Sequence, residues 1–185
     1  IATVISLPLG VLAALYQDRW PDYLIRVLAI FGLAMPSFWV AFMIILGLVI
    51  IFGWVPPVIY SQPWDNPWEH FQLMIWPALV LVWLFGAYLI RVTRASMLEV
   101  LRQDYMRTAR SKGLQERTIL ARHGLRNVLI PVTTLGGGFL GSLLSGTVIL
   151  ETLFGLPGLG QGVVDAATSR DYPVIQSLAM FLVLV

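Results

Sequence analysis

Few side chains in this sequence could do chemistry, and their spacing keeps them apart. The 185 residues include two histidines, His70 and His123, ten carboxylates and no cysteine. Without cysteine there is no thiol nucleophile, no disulfide and no thiolate metal site. The histidines fall on opposite sides of the charge pattern described below, so they make no metal pair. Met35, Met43 and Met74 read as packing residues rather than soft-metal ligands. No nucleophile stands beside a base. The run GLPGLGQG (155–162) has the glycines of a phosphate loop but lacks the Lys and Ser/Thr that grip phosphate. These absences speak against a hydrolase, a metalloenzyme or a nucleotide site.

The basic residues are distributed very unevenly. Nine of the twelve lie in 91–128: Arg91, Arg94, Arg102, Arg107, Arg110, Lys112, Arg117, Arg122 and Arg126. Against Glu99, Asp104 and Glu116 this stretch carries a net +6, and the rest of the chain carries −4. Three readings of a basic stretch are open: membrane topology with attraction to lipid headgroups, docking to a cytoplasmic partner, and nucleic-acid binding. Nothing like a nucleic-acid motif or an aromatic interleaving supports the last.

The surrounding elements explain why so little charge appears elsewhere. Hydrophobic residues make up 58% of the chain and charged ones 12%, against about 45–50% and about 25% in a soluble domain. Five apolar segments stand out: 1–16, 27–52, 74–90, 129–150 and 174–185. The three inner ones hold no Asp, Glu, Lys, Arg or His. That also argues against a proton-coupled carrier, which buries a titratable group. The run VAFMIILGLVIIF (40–52) does not alternate as a barrel strand would. The expected fold is therefore an all-α, polytopic membrane helix bundle. Both terminal segments are shorter than the roughly 20 residues of a span, so the chain is expected to be a piece of a longer protein.

The positive-inside rule places 17–26 and 91–128 in the cytoplasm, and 53–73 and 151–173 outside. Trp54, Trp64, Trp68 and Trp76 then form an outer interfacial belt, with Trp20 at the inner edge. His70 becomes a solvated interface residue.

Segment 91–128 is too long for a plain connector. Leu98, Leu101, Tyr105 and Ala109 recur at helical steps and predict one helix face. Gly113 breaks the pattern. A second short helix follows, with Leu114, Ile119 and Leu120 on its apolar side, and a re-entry helix runs from about Arg117 to Asn127. A short helix held away from the bilayer is a knob for a partner's groove.

The string DYMRTARSKGLQERTILARHGLRNVLIP (104–131) resembles the cytoplasmic loop of ATP-binding-cassette importer permeases, and more narrowly the dipeptide/oligopeptide/nickel branch. That family carries an "EAA" motif of Glu-Ala-Ala, three residues, then Gly. Ala109 and Gly113 match its second Ala and its Gly, whereas Arg107 and Thr108 replace the Glu and first Ala. The branch's own pattern, R-T-A-x-x-K-G-L followed by R-H-x-L-R-N, fits as it stands. Residues 10–39 resemble the family's second and third spans. TVILETLFGLPGLGQGVVDAATSRDYPVIQ (147–176) resembles its outer loop before the last span.

The resemblance implies the transmembrane domain of a type I importer in a bacterial inner membrane. The chain would be half of a translocation path, paired with a homologous second permease subunit. Two cytoplasmic ATPase subunits would dock on the loop, and an extracytoplasmic binding protein would deliver substrate. Membrane lipid is a further partner; nucleic acid is not. The chain itself would be no enzyme and would hold no cofactor, because ATP is used by its partners. A coupling helix is expected around Ala109–Gln115. The coupling-loop residues implied are Tyr105, Arg107, Thr108, Ala109, Lys112, Gly113, Leu114, Arg122, His123, Arg126 and Asn127. Ala109 and Gly113 are small enough to let a partner approach, and Gly113 also reads as a helix C-cap. An outer lid or docking surface is implied for Glu151, Phe154, Gly155, Pro157, Gly158 and Gly160, against the alternative of an ordinary loop lying on the membrane.

Gly137 and Gly141 form a G-x-x-x-G pair, read as close helix packing, with a pore-lining face as the alternative. Two other classes of function remain: a secondary carrier or channel without an ATPase, which leaves the long basic loop idle, and a membrane enzyme or scaffold, for which no chemical site is found.

Overall fold

In the computed structural model, residues 1–55, 60–144 and 148–184 are described. All regular structure among them is helical. The elements are α1 (Ala2–Leu15), α2 (Trp20–Ala34), α3 (Ser37–Phe52), α4 (Pro67–Leu101), α5 (Asp104–Ser111) and α6 (Glu116–Thr118). A π-helical segment (Ile119–Gly124) leads into α7 (Leu125–Leu144), followed by α8 (Val148–Phe154), α9 (Leu159–Thr168) and α10 (Tyr172–Leu184).

Two boundaries differ from the sequence expectation. The apolar segment 27–52 is not one helix. It is interrupted at Met35–Pro36, where Pro36 is extended (φ −61°, ψ 142°) and its carbonyl receives the first amides of α3. Proline pushes the residue before it out of the α region, so α2 ends there. Conversely, the helix through 74–90 does not stop at the charges. α4 continues eleven residues further, to Leu101, because 91–101 contains no Gly or Pro. Arginines mark where apolar surroundings end, not where a helix must.

Among the described residues, α4 alone is long and apolar enough to cross a membrane unaided. The number rises to three if α2 with α3, and Ile119–Leu143 with α8, each count as one broken span. α1 and α10 are shorter apolar helices. Large apolar side chains face outward on many turns, including Ile30, Phe42, Ile50, Ile51, Phe52 and Ile130. In water such a surface would be a liability; in hydrocarbon it is the expected exterior.

The chain divides into two compact units. The first comprises 1–34 and 82–138, the second 35–81 and the described part of 139–185. In the first unit, α1, α2 and α4 pack through small residues. A Cβ placed on Gly10 would lie 2.5 Å from Thr93 Cβ and 2.9 Å from the Ile90 carbonyl, and one on Gly32 would lie 2.6 Å from Ala87 Cβ. Ala13, Ala14 and Ala29 of α1 and α2 are also buried. Lipid supplies no hydrophobic drive between helices, so such close van der Waals contact is what holds them. The second unit has its own core of Ala41, Val80, Leu150 and Phe154, flanked by Val40, Ile44 and Trp76.

Candidate functional site: the basic 91–128 segment and the Glu151 hairpin

Residues 91–128 resolve into a folded platform. α4 stops at Leu101, and Gln103 is extended (φ −68°, ψ 147°) just before α5 starts at Asp104. An acidic residue in the first turn and Arg110 in the last suit the helix dipole. α5 buries Met106 and Ala109 against Ile119, with Val100 and Leu101 packed alongside. The opposite face is polar. Arg107 is exposed, 3.9 Å from Asp104, and Thr108 Oγ1 donates to the Asp104 carbonyl at 3.0 Å.

The end of α5 is a Schellman cap. Gly113 has φ +76°. Its amide donates to the Arg110 carbonyl at 3.0 Å, and the Leu114 amide donates to the Ala109 carbonyl at 3.4 Å. That geometry needs a left-handed residue, which glycine adopts freely. A staple crosses the turn: the Arg110 guanidinium donates to Glu116 through Nη2 at 2.8 Å and through Nε at 3.2 and 3.3 Å. This hydrogen-bonded pairing holds the Glu116 carboxyl below its ordinary range and raises the Arg110 guanidinium further.

The return strand of the platform is the π segment and the first turn of α7. Gly124 lets Met97 in, since a Cβ there would stand 3.3 Å from Met97 Cε. Asn127 Nδ2 donates to the Tyr105 hydroxyl at 2.7 Å, tying the start of α7 to the start of α5. Beside that bond an open groove of about 370 Å³ runs between Glu99 and Val100 of α4 and Pro131 of α7.

The hairpin of α8 and α9, expected on the outer side, is built in the second unit. α8 ends on Gly155 (φ +61°), whose conformation lets the Leu156 amide reach back to the Glu151 carbonyl at 2.8 Å. Glu151 is buried, and its Oε2 accepts the Gln161 amide at 2.9 Å, in the first turn of α9. A carboxylate at a helix N-terminus satisfies free amides and the dipole together. Gly158 and Gly160 are both crowded: a Cβ on Gly158 would overlap the Glu151 carboxylate, and one on Gly160 would lie 2.7 Å from Val148 Cγ2. Phe154 is buried in the core of the unit.

Residues 6–185 match the sequence model of the family described as "Binding-protein-dependent transport system inner membrane component". The chain belongs to that family. Its members are inner-membrane components of transport systems, and this chain has their all-helical transmembrane fold. It is 40% identical over 98% of its length to a "Putative peptide transport system permease protein" of Brucella suis biovar 1 (strain 1330), covering 59% of that protein. It is also 40% identical over 95% of its length to the glutathione transport system permease protein GsiC of Escherichia coli (strain K12), covering 55%. The chain thus spans a little over half the length of these curated relatives.

The residues expected to form a coupling loop are brought together, but not all face outward. Tyr105, Arg107, Thr108 and Ala109 are on α5; Lys112, Gly113 and Leu114 form its cap; Arg122 lies in the π segment; Arg126 and Asn127 open α7. The His123 side chain is outside the described ones. The short helix is Asp104–Ser111 rather than Ala109–Gln115, because the cap falls at Lys112–Gly113. The helical face through Leu98, Leu101, Tyr105 and Ala109 is broken at Arg102–Gln103, so Tyr105 turns outward while Ala109 packs inward. Ala109 is buried in a cluster with Met106 and Ile119.

Of the residues expected on the outer side, Gly158 and Gly160 are shaped by the Glu151 carboxylate and by Val148, while Phe154 joins the core of the unit. No described atom of this chain comes within 4 Å of a Cβ built on Gly137 or Gly141. The close approaches within the chain are at Gly10 and Gly32 in the first unit and at Gly158 and Gly160 in the second. His70 is half-buried rather than solvated, with Nδ1 2.9 Å from the Ser61 carbonyl and its ring edge-on to Tyr60. Among the described residues no group of three His, Asp or Glu side chains could hold a metal.

One pair escaped the sequence reading. Asp22 is fully buried and receives Arg94 Nε and Nη2, each at 2.7 Å. The only available signal was an acidic residue and an arginine each set at the edge of an apolar segment.

Proposed function

We propose that the protein containing this chain is the permease subunit of an ATP-driven, binding-protein-dependent importer of the peptide class. It would form half of a translocation path with a homologous subunit. Two cytoplasmic ATPases would bind the 91–128 platform, and an extracytoplasmic protein would present the substrate. The chain carries out no covalent step; ATP is consumed in the partner subunits.

The observation that carries this reading is the α5 platform within a chain that matches the family over residues 6–185. Its inner face is cemented to the protein by Met106, Ala109 and Ile119. Its outer face presents Arg107 and the turn at Lys112–Leu114. A push on such a knob moves what lies behind it instead of deforming it, because packed interiors transmit strain. The peptide class rests on relatives named as peptide and glutathione permeases at 40% identity.

The test is purification of the full-length protein from membranes under mild detergent, followed by reconstitution with its co-purifying subunits. The reading expects an ATPase pair in the complex and uptake of small peptides or glutathione that requires ATP and the binding protein. Uptake that ignores ATP and follows a proton or sodium gradient would overturn it in favour of a secondary carrier.

A further inference from the structure

The Asp22–Arg94 pair is an unusual investment for a chain with so few charges. Both lie near the cytoplasmic edge of their helices, and the Asp22 carboxylate is removed from solvent altogether. It is fully engaged: two bonds come from Arg94, and Oδ2 also accepts the Asp18 amide at 3.0 Å. Asp18 itself holds φ +59°, an uncommon conformation for a side-chain-bearing residue. One carboxylate thus locks the α1–α2 turn in shape and bolts it to α4.

The bolt sits directly behind the docking helix. Leu101, where α4 ends and the chain turns into α5, lies seven positions after Arg94. Beside Arg94, Thr93 meets Gly10 of α1; further along, Met97 meets Gly124, and Val100 and Leu101 touch the Met106–Ala109–Ile119 core. Contact is therefore continuous from α5, through the base of α4, to the α1–α2 turn. Most of that chain is apolar or small and could slide. The bidentate ion pair cannot slide without exposing or stranding a charge.

We propose that Asp22 and Arg94 are positioning residues for energy coupling: they make the α1–α2 hairpin move as one body with α5 when the ATPases move it. This rests on the importer reading above. Without the pair, α5 can swing while α1 and α2 lag, and ATP is spent without the helices following.

The test uses the complete reconstituted transporter. This chain has no cysteine; with any cysteine elsewhere in the transporter replaced, spin labels can be placed at two introduced ones, Gln17→Cys in the turn and Asp104→Cys at the start of α5, both exposed positions. In the otherwise unaltered protein the label-to-label distance should be the same in the resting and nucleotide-trapped states. In Asp22→Asn it should differ between them, and substrate moved per ATP hydrolysed should fall about tenfold, within the usual range for coupling between sites. Arg94→Lys keeps the charge and should retain most of the ratio; it also serves if Asp22→Asn fails to assemble, since it should still broaden the distance distribution. A distance that changes with nucleotide in the parent protein would overturn the proposal. So would variants with unaltered distances, or ones in which hydrolysis and uptake fall in proportion. Failure of the importer reading itself would show separately, as a parent complex with no ATP-dependent uptake.

Discussion

The carboxylate of Glu151 occupies the space that a side chain on Gly158 would fill, and its Oε2 accepts the Gln161 amide at 2.9 Å. The α8–α9 hairpin is thereby closed by one buried acid and two glycines that make way for it.

Gly158→Ala and Gly160→Ala should each destabilise the protein by about 1–3 kcal/mol, the usual cost of overpacking. Gly162→Ala is the control, because its Cβ would meet only Leu178 Cδ1 at an ordinary 3.6 Å. Thermal unfolding in detergent should show lower transitions for the first two and little change for the third. Equal behaviour of all three would contradict the crowding around Glu151.

Gly113 has a left-handed backbone, yet no described atom lies within 4 Å of a Cβ built on it. Gly113→Ala should therefore cost about 1–2 kcal/mol from backbone strain alone, and Gly113→Asn less. A bulky residue adds a second effect only if a partner covers the turn. Gly113→Leu should lower uptake per ATP and weaken ATPase docking well beyond Gly113→Ala. If Leu and Ala behave alike in a pull-down, the turn is structural only.

The Tyr105–Asn127 bond should be worth about 0.5–1.5 kcal/mol. Tyr105→Phe, Asn127→Leu and the double variant form a cycle in which the two single effects add to more than the double. Strict additivity, measured by denaturant unfolding, would show that α5 and α7 are not tied there.

The Arg110–Glu116 staple predicts an acid response. Because the folded state lowers the Glu116 carboxyl value, its contribution is complete above the unfolded carboxylate value. It disappears as pH falls through the lower folded one. Both side chains are about half exposed, so the contribution is at most about 1 kcal/mol and is screened by salt. Amide exchange at Gly113 and Leu114 should show this acid-side loss of protection, and Glu116→Gln should abolish it. A loss of the same size in Glu116→Gln would assign it elsewhere.

Some of this architecture can be read one residue at a time. Helix was legible because apolar runs without alternation can satisfy their backbone only internally in lipid. Gly113 was legible as an interruption because glycine's backbone freedom is a local property. The family was legible because the 104–131 string keeps its spacing. The exact end of α5 was not, since Leu98–Ala109 sustains helical periodicity straight across the break at Arg102–Gln103. Nor was the packing of Ala109 against Ile119, because a small residue in a periodic run does not show what it touches.

The sequence by itself determined the membrane class, the basic loop and the family, because composition, charge placement and motif spacing are sums over local positions. Only the tertiary structure decided that Asp22 belongs to Arg94, 72 residues away. It also decided that Gly158 yields to Glu151, and that Gly10 and Gly32 are where α1 and α2 come close to α4. A lone acid at a span edge has many possible partners, and a glycine has no side chain to declare its neighbour. Which contact forms depends on how the helices cross, and the linear pattern does not encode the crossing.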